Sequence, residues 1–401
     1  MLDQLKDKVQ KTALEHWLTS KKKGTFEVAT GIGKTIAALH CLYTMPKNGK
    51  VHLFLAETTE READLKKDIL LYNKMFNVNV LKDYQLVFKC YQAVYKLKKY
   101  EFGLVIADEI HNALSPEYSQ FFYNNNYDAI VGLSATVDKD TSYFIDGILK
   151  SKGELLDEIA PVCFKYTINQ AKEDGISRKL NIYVIYQELD SINKTIPAGN
   201  AVKRFYQTEK QAYDYWESSH QKSWFILDHN LRELKIRITA SKRSKLLFEL
   251  PSKINTVKQI LEFIKGKSIL FGNNLDSLLK ITPHVVSSRN STNENKKIRE
   301  DFDQGWIKLI GSFKKLRQGA NLKELDNCII MSYYSSEVHA IQQFGRLRKN
   351  GDKDGNIFIL LTKGTQEEKW FEKMMENIID DFNIIYCNNV EECHQKYIIN
   401  E

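Results

Sequence analysis

The chain of 401 residues is long enough for two domains of ordinary size, each with its own core. Hydrophobic residues at 43% and charged residues at 27% exclude a disordered chain, and no apolar run approaches the ~20 residues of a membrane span. A net charge of +7 suits a polyanionic partner without requiring one.

The N-terminal Met1-Leu2-Asp3-Gln4-Leu5-Lys6 lacks an apolar signal-peptide core, so a cytoplasmic protein is expected, in a bacterium or a phage-infected host. Six cysteines are scattered without a CxxC pair, which points to reduced thiols rather than disulfides or zinc.

In chain order, Thr25–Ala29 reads as a strand entering a glycine turn, and Thr35–Tyr43 as the helix that follows. Strands are predicted at Val51–Ala56, Leu86–Cys90, Gly103–Ala107 and Ala129–Leu133, with a helix over Arg61–Tyr72. Phe164–Arg178 reads as a crossover, followed by an alternating strand at Leu180–Leu189 and a polar turn at Pro197–Asn200. Residues 201–250 read as mostly helical, aromatic and basic. Alternation then resumes. Strands are predicted at Lys267–Phe271, Lys308–Ser312, Asn327–Ser332 and Asn356–Leu361, and helices at Asn255–Ile264, Asn293–Phe302, Val338–Phe344 and Gln366–Asp381. Strands alternating with helices imply parallel sheets covered on both faces.

The strongest chemical signal is Ala29-Thr30-Gly31-Ile32-Gly33-Lys34-Thr35, placed between a strand and a helix. Glycines there let backbone N–H groups point at phosphates, and the helix start adds a positive dipole end. Lys34 can reach the β- and γ-phosphates, and Thr35 can hold Mg²⁺ through its hydroxyl. The full GxxxxGK[ST] pattern expects glycine where this chain has Val28. The second signal, Asp108-Glu109-Ile110-His111, follows the strand ending at Ala107, 74 residues after Lys34. Asp108 at a strand's carboxyl end can join a metal shell, and Glu109 can orient and deprotonate a water.

Taken together and in order, these stretches resemble the motifs of the superfamily 2 helicases and translocases within the P-loop NTPases, whose first motif commonly accepts a residue such as Val28. Ser134-Ala135-Thr136 resembles the third motif, and Ser268–Asn274 the fourth. Gly319-Ala320-Asn321-Leu322 resembles the fifth, and Gln342-Gln343-Phe344-Gly345-Arg346-Leu347-Arg348 the sixth. His111, Asn321 and Tyr91-Gln92 resemble the Swi/Snf, XPB and restriction-motor branch more than the DEAD-box proteins.

That resemblance implies an α/β fold of two RecA-like lobes with parallel sheets. Lobe one would span 1–165 and lobe two 166–401, with a helical insertion at about 201–250. It implies ATP and Mg²⁺ as cofactors, with Thr30, Gly31, Ile32, Gly33, Lys34, Thr35, Gly319 and Asn321 around the nucleotide and Gln10 reading adenine. Thr35 and Asp108 would hold the metal, Glu109 would activate water, and Gln342 and Arg346 would complete the site. Arg346 is the expected arginine finger; either Arg348 or Lys349 is the second cation, because the spacing departs from GRxxR. His111, Ser134 and Thr136 would couple the nucleotide to the track.

The expected partner is DNA, whether duplex, forked or single-stranded, with replication or recombination proteins as candidate associates; RNA remodelling and a nucleotide-gated binding subunit are the competing readings. Nucleic-acid contacts are expected at Thr58, Arg61, Gln92, Phe271, Gly272, Asn273, Lys314 and Lys315, where hydroxyls, amides and cations can follow phosphates. In the segment 201–250, aromatics such as Trp216 and Trp224 alternate with cations. They either pack against lobe two or stack on bases, and packing is the favoured reading.

Overall fold

The computed structural model describes residues 2–400 apart from 30, 136–138, 140, 146, 200–201, 314–321, 323, 334–352 and 377–381. Among the described residues, the chain divides into two compact units, one running to Arg178 and one beginning at Lys179.

The first unit is a six-stranded sheet in the order β3-β2-β4-β5-β1-β8. The strands are β1 (Lys23–Val28), β2 (Val51–Ala56), β3 (Gln85–Cys90), β4 (Glu101–Asp108), β5 (Asn126–Ser134) and β8 (Val162–Tyr166). Every pairing in it is parallel. Seven successive residues of β4 and the last six of β5 are buried. Such unbroken apolar strands are stable only where helices cover both faces. A small antiparallel hairpin, β6 (Ser142–Ile145) and β7 (Ile148–Ser151), stands apart from the sheet.

Helix α1 (Leu2–Thr19) opens the chain and carries Gln10, Ala13 and Trp17 on one buried face, at the three- and four-residue spacing of a helix. The Trp17 indole is fully buried and donates to the Ile130 carbonyl at 2.8 Å, tying α1 to the sheet's centre. α2 (Lys34–Tyr43) follows β1, and α3 (Glu60–Phe76) follows β2.

One sequence expectation is corrected in this unit. The start of the stretch read as a crossover is a strand, because β8 pairs in parallel with β1 on the sheet's edge. With the helix Ile168–Glu173 behind it, the first unit runs past residue 165.

The second unit holds a seven-stranded sheet in the order β13-β14-β12-β15-β16-β9-β17, again with every pairing parallel. Its strands are β9 (Leu180–Gln187), β12 (Lys267–Gly272), β13 (Val285–Val286), β14 (Leu309–Phe313), β15 (Leu325–Ile330), β16 (Gly355–Thr362) and β17 (Asn383–Cys387). The turn expected at Pro197–Asn200 is instead largely a strand. β10 (Ile196–Gly199) pairs antiparallel with β11 (Arg204–Gln207).

Two long helices follow, Glu209–Ser223 and His229–Glu249. Thr208 and Gln211 form a capping box on the first, and the Asp228 side chain caps the second. Tyr213 is buried at their base, where its hydroxyl accepts the Gln366 N–H at 2.8 Å. Trp216 packs on the same small core, but Trp224 is 59% and Phe225 83% exposed. Tyr213 and Trp216 of this segment therefore pack, whereas Trp224 and Phe225 are largely exposed. No described helix is long and apolar enough to cross a membrane.

Candidate functional site

The topology of the first sheet concentrates chemistry at one edge. β1 and β4 both pair in parallel with β5, so β5 lies between them and their carboxyl ends face the same way. In register, Ser134 of β5 stands opposite Glu27, and Leu133 opposite Asp108. Adjacent strands are about 4.8 Å apart, so the loops leaving β1 and β4 emerge roughly 10 Å from one another. Side chains cross that gap.

The loop after β1 turns through Gly31 (φ +94°) and Gly33 (φ +87°) into α2. Both glycines hold the left-handed conformation that side chains resist. A Cβ on Gly31 would meet nothing within 4 Å, so the loop is open there, whereas one on Gly33 would stand 2.7 Å from the Gln10 amide nitrogen. Gln10 is buried and donates to the Ile32 carbonyl at 2.7 Å. The residue expected to read adenine thus braces the loop from α1.

Lys34 reaches across to Glu109, Nζ to Oε1, at 3.1 Å. Glu109 itself has φ +48°, a rare conformation outside glycine that turns the chain sharply after β4. Burial pushes the Glu109 carboxyl up, but Lys34 and His111 outweigh it and hold it below the usual carboxylate range. Its second oxygen, Oε2, is buried without a hydrogen bond. His111 Nδ1 lies 2.9 Å from the Ser134 hydroxyl and 3.5 Å from Glu109 Oε2. Burial pushes the His111 imidazole below its ordinary value. Two of the residues expected to couple the site, His111 and Ser134, are therefore in direct contact.

Arg61, expected on a nucleic-acid track, is turned toward Asp108 and Thr35. Its Nε donates to Asp108 Oδ2 at 2.6 Å and its Nη2 to Thr35 Oγ1 at 2.6 Å. Burial opposes its charge, yet Asp108 more than restores it and raises the guanidinium further.

Two contributors, Glu57 and Asp68, escaped sequence reasoning, and a third, Tyr91, was singled out only as part of a motif. Glu57, just past β2, accepts from Asn112 at 3.2 Å, and burial together with Glu109 pushes its carboxyl up. Tyr91 is buried and its hydroxyl donates to the Asp108 carbonyl at 2.9 Å, fixing the end of β4. Asp68 on α3 lies 3.4 Å from Arg61. For Glu57 a signal existed, since it too stands at the carboxyl end of a strand.

The remaining expected contacts fare unevenly. Thr58 is half-buried at the start of α3 and Gln92 is exposed. Phe271 is 1% exposed and Gly272 is buried against Leu278, so neither presents a side-chain surface to a track, because both belong to the packed end of β12. The Asn273 N–H donates to the Ser332 hydroxyl at 2.7 Å. Thr30, Thr136, Lys314, Lys315, Gly319, Asn321, Gln342, Arg346 and Arg348 lie outside the described residues.

The donor set fits a magnesium-bound triphosphate. An open glycine loop, a lysine, a hydroxyl and a carboxylate supply hard oxygen ligands and a phosphate cradle.

Residues 5–139 match the family described as the Type III restriction enzyme, res subunit. A DNA 3'-5' translocase XPB2 of Sulfurisphaera tokodaii is 24% identical, over 93% of this chain and 86% of that protein.

Among solved structures, the ATP-dependent Type ISP restriction-modification enzyme LlaBIII bound to DNA has a TM-score of 0.60 at 15% identity over 97% of the chain. This chain spans only 32% of that enzyme's length. Dbp5 of S. cerevisiae bound to RNA and ADP BeF3 has a TM-score of 0.60 at 13% identity, covering 98% of this chain and 93% of that one. The chain is thus similar in sequence to a translocase and in fold to these solved structures.

The two parallel sheets fit the expected fold of two RecA-like lobes. The glycine loop and the Asp108-Glu109 turn stand in the first lobe. The helical insertion expected at about 201–250 coincides in position with the pair Glu209–Ser223 and His229–Glu249, which follows β9 in the second unit.

Proposed function

We propose that this chain is a motor that couples Mg-ATP hydrolysis to movement on DNA. The observation that carries the reading is the meeting of Lys34 and Thr35 with Glu109 and Asp108 at one sheet edge. Lys34 pairs with Glu109 at 3.1 Å, and it cannot serve that carboxylate and a phosphate fully at once. Binding of the triphosphate draws Lys34 to the β- and γ-phosphates, and Glu109 loses the charge that depresses its basicity. Glu109 then takes the proton of the attacking water. Thr35 and Asp108 would hold Mg²⁺, which would neutralise phosphate charge.

Arg346, with Gln342 and Arg348 beside it in sequence, supplies cationic stabilisation of the transferring phosphoryl group, and Gly319 and Asn321 border the nucleotide; these assignments rest on the resemblance of their motifs. His111 and Ser134 relay the nucleotide state, since His111 touches both the water-activating carboxylate and the third motif.

DNA is favoured as the track because the relative matched over 93% of the chain is named a DNA translocase, and the family matched at residues 5–139 is described as the Type III restriction enzyme, res subunit. The test is ATP turnover measured with duplex, forked and single-stranded DNA and with RNA, with Glu109→Gln as control. Stimulation by DNA that vanishes in the variant supports the reading. Greater stimulation by RNA reassigns the track, and nucleotide binding without turnover on any nucleic acid leaves a gated binding subunit.

A further inference from the structure

Arg61 sits on the first turn of α3, and all three of its guanidinium nitrogens are engaged. Nη2 donates to Thr35 Oγ1 at 2.6 Å, Nε to Asp108 Oδ2 at 2.6 Å, and Nη1 lies 3.4 Å from Asp68 Oδ2. The guanidinium carbon stands 5.7 Å from the centre of the Phe54 ring. The Arg61 side chain is 17% exposed and the Asp108 side chain 8%. Partners on four elements (α2, β2, β4 and α3) thus hold one cation in one place.

The place matters. Thr35 Oγ1 and Asp108 Oδ2 belong to the two residues assigned above to magnesium. Magnesium needs oxygens at about 2.1 Å in near-octahedral array. An oxygen already accepting an N–H at 2.6 Å is turned to the wrong atom, and the guanidinium fills the space between the pair. In chemical terms Arg61 replaces the ion: it neutralises a carboxylate that is nearly buried and would otherwise carry an uncompensated charge. Arginine suits the task because it stays charged at every accessible pH and its planar fork can span two oxygens, whereas a lysine ammonium is a single point.

We propose that Arg61 is an internal counter-ion that holds the metal position until magnesium-bound nucleotide displaces it. Magnesium then competes with a residue of this chain, and nucleotide-free protein is kept with its two metal-binding oxygens satisfied. The proposal rests on the nucleotide reading of the site.

The experiment titrates a fluorescent ADP analogue into the full-length protein, with Mg²⁺ varied and with EDTA, for the wild type, Arg61→Gln and Arg61→Lys. The expected result is that Arg61→Gln lowers the half-saturating Mg²⁺ concentration by about tenfold. Affinity without metal changes little, and Arg61→Lys falls between. Melting of nucleotide-free protein provides a second readout, with the Gln variant less stable alone but gaining more from Mg-nucleotide.

Weaker binding both with and without metal would make Arg61 a phosphate ligand and overturn the proposal. An unchanged Mg²⁺ requirement with weaker oligonucleotide binding would return Arg61 to the nucleic-acid track and overturn it equally. Should Arg61→Gln fail to fold, Asp68→Asn loosens the same guanidinium without touching Thr35 or Asp108. It is expected to shift the Mg²⁺ requirement in the same direction by a smaller factor, and no shift would sink the idea. A wild type that binds no nucleotide under any condition would refute the nucleotide reading itself.

Discussion

Lys34 Nζ and Glu109 Oε1, 75 positions apart in the chain, lie 3.1 Å from each other. The pair joins the glycine loop to the turn after β4, and its two members are assigned different tasks. Lys34→Met is expected to weaken nucleotide binding by about a hundredfold, the scale of one charge-assisted phosphate contact. Glu109→Gln should bind nucleotide as well as the wild type or better, while turnover falls by about 10²–10⁴-fold. Equilibrium binding and steady-state phosphate release measured on both variants separate the roles; equal losses of binding would refute the division.

Burial lowers three histidines of the first unit, His40, His52 and His111. In the unfolded chain each titrates near 6.5. Above about pH 6.5 both states are neutral, and stability does not depend on them. Below it the unfolded chain takes up protons that the folded one refuses, so stability declines as pH drops toward the folded values. Glu109, held below its ordinary value, adds its own loss only at lower pH, as its carboxylate protonates. Melting temperature followed from pH 8 to pH 5 should therefore fall below about 6.5. His52 Nδ1 accepts the Leu104 N–H at 2.9 Å, a bond that an asparagine oxygen can replace, so His52→Asn should flatten the slope. An unaltered slope would mean His52 does not contribute.

The contact between the Ser134 hydroxyl and His111 Nδ1 is buried, at 2.9 Å. Ser134→Ala leaves an imidazole nitrogen without that partner, and should cost about 1–3 kcal/mol of stability. Its larger effect should appear in the ratio of DNA-stimulated to basal turnover, because His111 also faces Glu109. A variant that loses stability but keeps its stimulation would reduce the contact to a structural role.

In the second unit, Lys253 and Glu367 form an ion pair whose side chains are 1% and 0% exposed. Glu367 also accepts the Thr362 N–H at 3.1 Å, binding the helix Gln366–Met375 to the end of β16. Lys253→Met strands a buried carboxylate and is expected to cost about 3–5 kcal/mol. Adding Glu367→Gln removes the charge but keeps an acceptor for Thr362, so the double variant should be more stable than the sum of the two single losses. Urea denaturation of all four proteins measures this coupling, and strict additivity would rule it out.

Long apolar strands were the most legible part of the fold. β2, β4, β5, β12, β15 and β16 are buried almost from end to end, and such runs are visible without knowledge of their neighbours. Less was visible where packing rather than pattern decides. α1 shows little apolar surface apart from Ala13, Trp17 and their neighbours, and it was not anticipated as a helix. β13 has two residues, and β8 and β17 are edge strands whose identity depends on the partner they meet.

By itself the sequence determined the motifs and their order, because the chemistry of a phosphate cradle dictates residue types at short spacing: glycines before Lys34-Thr35, acids at Asp108-Glu109. It determined nothing about where a long side chain would turn. Arg61 can reach a track or a metal position from the same backbone, and only the packing of Phe54, Asp68, Thr35 and Asp108 around it chose the second. Gln10 likewise turned to the Ile32 carbonyl. Local pattern reports what a segment is; the direction of a flexible polar group depends on charges distant in the chain, and those are brought near only when the sheet assembles.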